Sequence, residues 1–203
     1  MNPTTKANPP LIEAVRNGHT DRVKMLLTAK GNINTTDNDG STALILAASM
    51  GHATCLQLLL KAKADINAAD NRRQTASAMA VTNGHTACLK LLIAAKANID
   101  AADKYGGTPL ILAAGYGHLD CFKLLLDAKA NINLSNMDNN TPLIVTASEG
   151  QTTCLQQLLD AKADVNAANI NGCTPLILAA THGRPDCLKP LLAAKANVNA
   201  AIV

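Results

Sequence analysis

Aromatic rings are almost missing: the 203 residues hold one Phe, two Tyr and no Trp. A conventional single core of this size leans on large rings, so the shortage excludes that design. A dominant charge sign is missing too. Eighteen basic and fifteen acidic residues leave a net charge of +3, which excludes a strongly basic grip on nucleic acid. No apolar run approaches the roughly 18–20 residues that span a bilayer. The longest, such as Pro109 to Gly115, end within two helical turns, so no membrane insertion is expected. The polar, proline-rich start from Met1 to Pro10 lacks the basic and apolar parts of a signal peptide. These absences imply a soluble, intracellular chain, and five cysteines read as unpaired point to the cytoplasm or another reducing compartment. What the sequence does hold is Ala and Leu. At 48% hydrophobic and 16% charged residues it is too apolar for a disordered tail. Its Ala and Leu suit many small, close-packed helices.

A fixed period of 33 residues runs through nearly the whole chain. Cys55, Cys88, Cys121, Cys154 and Cys187 keep it, and so do Gly18, Gly51, Gly84, Gly117, Gly150 and Gly183. Lys30, Lys63, Lys96, Lys129, Lys162 and Lys195 form a third column. Asn34, Asn67, Asp100, Asn133, Asn166 and Asn199 close each unit. Residues 101–133 show the grammar of one copy. Asp103 to Gly107 is turn chemistry, with glycine supplying positive φ. Thr108 and Pro109 read as an N-cap and a first-turn proline. A short apolar helix follows and is expected to break over Gly115 to His118. A second helix is expected over Asp120 to Asp127. Each unit is therefore a turn and two antiparallel helices.

This pattern resembles the ankyrin repeat, a 33-residue unit with the signature T-P-L-H-x-A. The residues that carry the resemblance are Thr108-Pro109-Leu110, Thr141-Pro142-Leu143 and Thr174-Pro175-Leu176. Gly51-His52, Gly84-His85 and Gly117-His118 join them. The resemblance implies an all-α solenoid of stacked helix-turn-helix units with β-turn or hairpin fingers. It covers about 10–203 as a single domain behind a short tail, 1–9. The repeats run roughly 10–34, 35–67, 68–100, 101–133, 134–166 and 167–199.

The departures carry expectations of their own. The signature histidine is replaced by Ile45, Ile111, Ile144 and Ile177, so packing must substitute for its hydrogen bond. The family's glycine after the second helix is Lys in all six units. A left-handed conformation there costs roughly 1–2 kcal/mol each, and a cation at a helix C-terminus recovers about 0.3–1 kcal/mol. In the third unit Arg73 replaces the turn glycine, Ala76 the proline and Ser77 a core leucine. Pro190 falls inside the last second helix and is expected to kink or fray it.

The recurring columns are read as scaffold. Successive units stack at about 8–10 Å, too far for disulfides, whose Cα atoms lie within about 7 Å. The cysteine column is thus a set of small buried hydrophobes, while Cys173, beside Gly172, is expected at the surface. The ladder of His19, His52, His85 and His118 cannot converge on a metal. The lysine column is a row of solvated helix ends, with Asp65, Asp127 and Asp164 close in sequence. No phosphate-binding loop or nucleophile motif is present, and repeats place like residues in rows where catalysis needs unlike residues at one point. No enzyme activity, cofactor or metal is expected.

Where the copies differ, a partner can be served. The variable columns are the turn tips and the ends of the first helices, which in ankyrin repeat proteins line a concave face that grips partners. They contain Asn38, Asp39, Met50, Arg72, Arg73, Lys104, Tyr105, Tyr116, Met137, Glu149 and His182. Both tyrosines of the chain lie in these columns, and Tyr and Arg are favoured hot-spot residues. The expected contact is a central band over the second to fifth units. The reading is a monomeric scaffold binding another protein through that face. Two alternatives stand beside it. One is a substrate-recruiting or targeting module of a larger enzyme or effector, motivated by the abrupt stop at Val203. The other is a self-associating array using the C-terminal end, where Ile202 and Val203 stand in place of a polar turn.

Overall fold

The computed structural model describes residues 8–29 and 31–200. Lys30, Ile202 and Val203 therefore lie outside the described residues. The chain divides into two compact units, one ending at Asp103 and the other starting at Lys104. The first holds α1 (Pro10–Arg16), α2 (Thr20–Thr28), α3 (Ala43–Ser49), α4 (Ala53–Lys61), α5 (Ala76–Thr82) and α6 (Thr86–Ala94). The second holds α7 (Pro109–Tyr116), α8 (Leu119–Asp127), α9 (Pro142–Glu149), α10 (Thr152–Asp160), α11 (Pro175–Thr181) and α12 (Pro185–Ala193). Within each unit, helices pair as the sequence implies, α3 with α4 and α9 with α10. First helices then stack on first helices, and second on second. The fold is an all-α ankyrin solenoid.

The short first helices are enclosed on nearly every side, and all of Ala43 to Ala48 is buried. Alanine at such positions lets backbones approach closely, which leaves little room for rings. Phe122 is the single large ring inside, fully buried in α8. Each first helix after α1 starts at a threonine whose Oγ1 accepts the N–H three residues on. Examples are Thr42 from Ile45 at 3.3 Å and Thr108 from Ile111 at 3.4 Å. The substituted isoleucines bury as packing requires: Ile45, Ile111 and Ile144 are in the core, with Ile177 half-buried.

Three local expectations need refinement. α7 does not break at Gly115 but runs through it to Tyr116, and Gly117 at φ 74° ends it. Gly115 has no left-handed conformation to supply, whereas Gly117 does. α12 continues through Pro190 for nine residues, the same length as α10, so the helix is not interrupted. Its proline removes one backbone N–H from the helix. The lysine column is left-handed throughout its described members. Lys63, Lys96, Lys129, Lys162 and Lys195 have φ between 63° and 66°. Lys63 N donates to Leu60 O and Ala64 N to Leu59 O, both at 3.0 Å. That pair of bonds is a Schellman motif, and Ala64 closes it by burying against the helix. The same two bonds recur after α6, α8, α10 and α12.

Ser77 occupies the buried position that Leu44 fills in α3, and its Oγ has no hydrogen-bond partner. A buried, unpaired hydroxyl costs about 1–3 kcal/mol. Ser77→Ala is expected to raise unfolding stability by about 1 kcal/mol, read as a higher urea midpoint with an unchanged slope.

Candidate functional site

Within each unit, the turns between repeats are organised by single Asx side chains. In the first unit Asp37 Oδ1 accepts from Asp39 N at 3.0 Å and Ser41 N at 2.9 Å. Asp70 Oδ1 does the same for Arg72 N and Gln74 N, both at 2.8 Å. In the second unit Asn136 holds Asp138 N and Asn140 N, and Asn169 holds Asn171 N and Cys173 N. The backbone then closes on itself, Gly40 N to Asp37 O and Asp37 N to Ser41 O, which makes a finger. Short bridges, Thr36 with Thr42 and Ala69 with Thr75, complete the hairpin in the first unit. These acceptors repeat every 33 residues, so the signal was in the sequence. They lie outside the variable columns because their role is the same in every copy.

Consecutive fingers are tied by one backbone bond. Asn71 N donates to Asp39 O at 3.0 Å, Met137 N to Tyr105 O at 2.9 Å and Ile170 N to Asp138 O at 3.0 Å. Candidate residues at the tips are thus held at fixed spacing by main chain, with their side chains exposed. All eleven candidates are exposed. Asn38, Asp39, Met50, Arg72 and Arg73 belong to the first unit. Lys104, Tyr105, Tyr116, Met137, Glu149 and His182 belong to the second. Arg73 stands at φ 60°, the conformation that Gly40 and Gly106 supply in other fingers.

The second unit carries the larger hydrophobic surface. Tyr105, Tyr116 and Met137 are 63%, 59% and 68% exposed. Lys104 Nζ lies 4.7 Å from the centre of the Tyr105 ring, a cation–π contact that presents ring and charge together. Tyr116 stacks on His118 at 6.3 Å between centroids and 28° between planes. His182 Nδ1 lies 3.0 Å from Ser148 Oγ, and Arg184 Nε donates to Ser148 O at 3.1 Å. The variable columns include Ser148 but not Arg184, because the bond joins positions 36 residues apart.

The other columns are structural. His52 Nε2 lies 3.4 Å from Arg16 O and His85 Nε2 lies 3.0 Å from Ser49 O, so each ring ties a second helix to the preceding first helix. Among the described residues no group of three or more His, Cys, Asp or Glu could hold a metal ion. None of the described column lysines makes an ion pair among these residues; the pairs are Arg16–Asp37 and Lys24–Asp21. The column cysteines are buried free thiols, but Cys173 is half-buried rather than fully exposed. The finger around Asn169 folds back over it, with its Sγ 3.9 Å from Asn171 O.

Burial raises the Cys88 thiol from 9.0 to about 11. Burial also raises Cys154, partly offset by the Lys123 charge. A thiol that is harder to ionise when folded favours the folded state fully below pH 9. That contribution is lost as pH rises through about 11. We expect alkylation by iodoacetamide at pH 8 to modify Cys173 first, with Cys88 reacting only on unfolding. Peptide mass mapping of a time course reads this directly; early labelling of Cys88 would contradict it.

Two comparisons with known proteins agree with this architecture. A family model described as ankyrin repeats (three copies) matches residues 1–70, 63–136 and 130–202. The chain belongs to the ankyrin repeat family. It is similar in structure to the ankyrin repeat domain of Bcl-3, described as a unique member of the IkappaB protein family. The TM-score is 0.88 at 25% identity, over 97% of this chain and 90% of that one. It is likewise similar to the human ASB11 ankyrin repeat domain, with a TM-score of 0.85 at 26% identity, over 97% of this chain and 88% of that one. No curated protein matches the sequence significantly. Ankyrin repeat domains are in general protein–protein interaction modules. Among the described residues, no helix is long and apolar enough to cross a membrane.

Proposed function

We propose that this chain is a non-enzymatic scaffold of the cell interior that binds another protein through its finger tips and first-helix ends. One observation carries the reading. A protein with three aromatic residues fully buries one and leaves both tyrosines more than half exposed. Exposed tyrosine costs solubility and gains nothing for a helix, but it supplies broad contact area with little rotamer entropy to lose. The backbone ties between fingers hold Tyr105 and Met137 in place before any partner arrives, which lowers the ordering cost of binding. The reading includes a single domain over 10–203.

The test is a pull-down from cell lysate with mass spectrometry, comparing the native chain with a Tyr105→Ala, Tyr116→Ala double variant. Both side chains are solvent-exposed, so the variant is expected to keep its melting temperature within a degree or two. A partner held by the native chain is expected to lose at least about tenfold in recovery, the scale of two hot-spot truncations. Equal recovery by both proteins places the binding surface elsewhere.

A second reading is favoured by the last repeat. Leu176, Ile177 and Leu178 of α11 are half-buried where Leu143 and Ile144 of α9 are in the core, and Leu192 and Val198 are 50% and 66% exposed. These exposed apolar side chains support self-association. Light scattering that shows a monomer at all concentrations removes this reading.

A further inference from the structure

The second unit contains a groove that the exposed tyrosines do not explain. Its floor is apolar, built from Ile144 and Val145 of α9 and Leu178 of α11. Its wall is the amide pair Asn140 and Asn169, and Ser148 and Glu149 complete the lining. Its volume is about 240 Å³. Sites for whole small molecules run to about 300–1,000 Å³, so this groove has the scale of one large side chain.

Its chemistry selects the side chain. Asn169 Nδ2 donates to Asn140 Oδ1 at 3.2 Å, which joins the two amides into one polar wall. The Glu149 carboxylate is exposed and makes no ion pair among the described residues. It stands in the last turn of α9, where the helix dipole adds negative potential. This helix end already draws one guanidinium, since Arg184 Nε donates to Ser148 O. That carbonyl is thereby occupied, while the neighbouring carboxylate is not. An apolar floor beside a polar amide wall and an unpaired carboxylate fits a long apolar stem with a flat cationic head. Lysine offers the stem but a compact, strongly hydrated head. Arginine offers a planar, weakly hydrated head that can lie along amides and bond a carboxylate.

We propose that this groove is a specificity pocket for an arginine side chain of the partner protein, seated on Val145 and Leu178 above the buried Ile144 and bonded by Glu149. This rests on the reading of the surface as a protein-binding one, and it names the chemistry the partner brings. Nothing in the reaction of thiols or in the lysine column is needed for it.

The test uses the full chain, labelled with ¹⁵N, and two probes. One is N-acetyl-arginine methylamide and the other is the uncharged isostere N-acetyl-citrulline methylamide. The arginine probe is expected to shift the amides of Val145, Ser148, Glu149 and Leu178 saturably. Its Kd is expected on the order of 1–10 mM, as befits a single side chain. Citrulline is expected to bind at least about tenfold more weakly. Glu149→Gln, at an exposed position, is expected to leave the spectrum folded and weaken arginine at least about fivefold. Equal binding of the two probes, saturable shifts elsewhere only, no saturable shift at all, or an unchanged affinity in Glu149→Gln each overturns the pocket. A partner captured through Tyr105 and Tyr116 while the arginine probe fails refutes this inference alone. Loss of that capture result with a positive arginine titration refutes only the tyrosine-based surface.

Discussion

Gly106→Ala is expected to destabilise the second unit by roughly 2–4 kcal/mol, and to disorder the tips that carry Tyr105 and Met137. Two separate terms make this large. Gly106 sits at φ 80°, a region where a Cβ costs roughly 1–2 kcal/mol. That term alone is bearable here, because Asn139 and Arg73 hold the equivalent finger position at φ 58° and 60°. The second term decides the outcome. A Cβ at Gly106 would stand 2.8 Å from both the Asn136 Cα and the Met137 N, which are backbone atoms with no rotamer to escape through. The fingers must part, and parting them breaks the bond from Met137 N to Tyr105 O. Gly183→Ala is the control, since Gly183 has φ 63° but nothing within 4 Å of an added Cβ. It is expected to cost only the backbone term, about 1 kcal/mol. Urea unfolding of the two variants measures the difference. Equal losses would show that the close approach of the fingers carries no energy.

The opposite sign is expected at the helix ends. Replacing Lys63, Lys96, Lys129, Lys162 and Lys195 together by glycine is expected to stabilise the chain by about 3–5 kcal/mol. Each lysine occupies the left-handed position of a Schellman motif in which the bonds are already made by main chain. Glycine keeps those bonds and removes the Cβ conflict, a gain of roughly 1–2 kcal/mol per site. Losing a cation beside the helix C-terminus gives back about 0.3–1 kcal/mol per site. Strain wins over charge because the lysines are exposed and screened, while the backbone conflict is not screened by anything. A set of Lys→Ala variants separates the two terms. They keep the strain, lose the charge, and are expected to be slightly less stable than the native chain. The midpoint of urea unfolding reads both sets, and lower stability in the glycine set would reverse the argument.

Much of this protein was legible from residues because the chain contains its own comparison. Six copies of one unit reveal which positions are scaffold, without any second sequence. Thr108 and Pro109 start a helix wherever they occur, and Gly-His closes the turn between helices, since both effects act over a few residues. Ser77 could be recognised as a core position filled by the wrong residue, and it is buried as the register required. The end of α7 was misplaced by two residues for a related reason. Gly115 and Gly117 look alike in sequence, and only the backbone turn decides which of them adopts positive φ.

The candidate surface divides in the same way. Exposure of the variable positions followed from the period, because a residue that alternates in identity between stacked copies cannot be filling one repeated space. The groove did not follow. Ile144 and Val145 read as ordinary helix residues, and Asn140 and Asn169 as ordinary turn residues. They become a wall and a floor only when α9 and α11 stack and one amide meets another from 29 residues away. Arg184 reaches Ser148 across 36 residues on the same principle. Local sequence determines which repeat unit forms, where its helices start and stop, and which columns must be small, because those choices are settled by propensity, capping and period within one copy. Tertiary packing decides which non-equivalent side chains meet between copies. That depends on the distance and offset of stacked helices, and the pattern of a single repeat does not contain them.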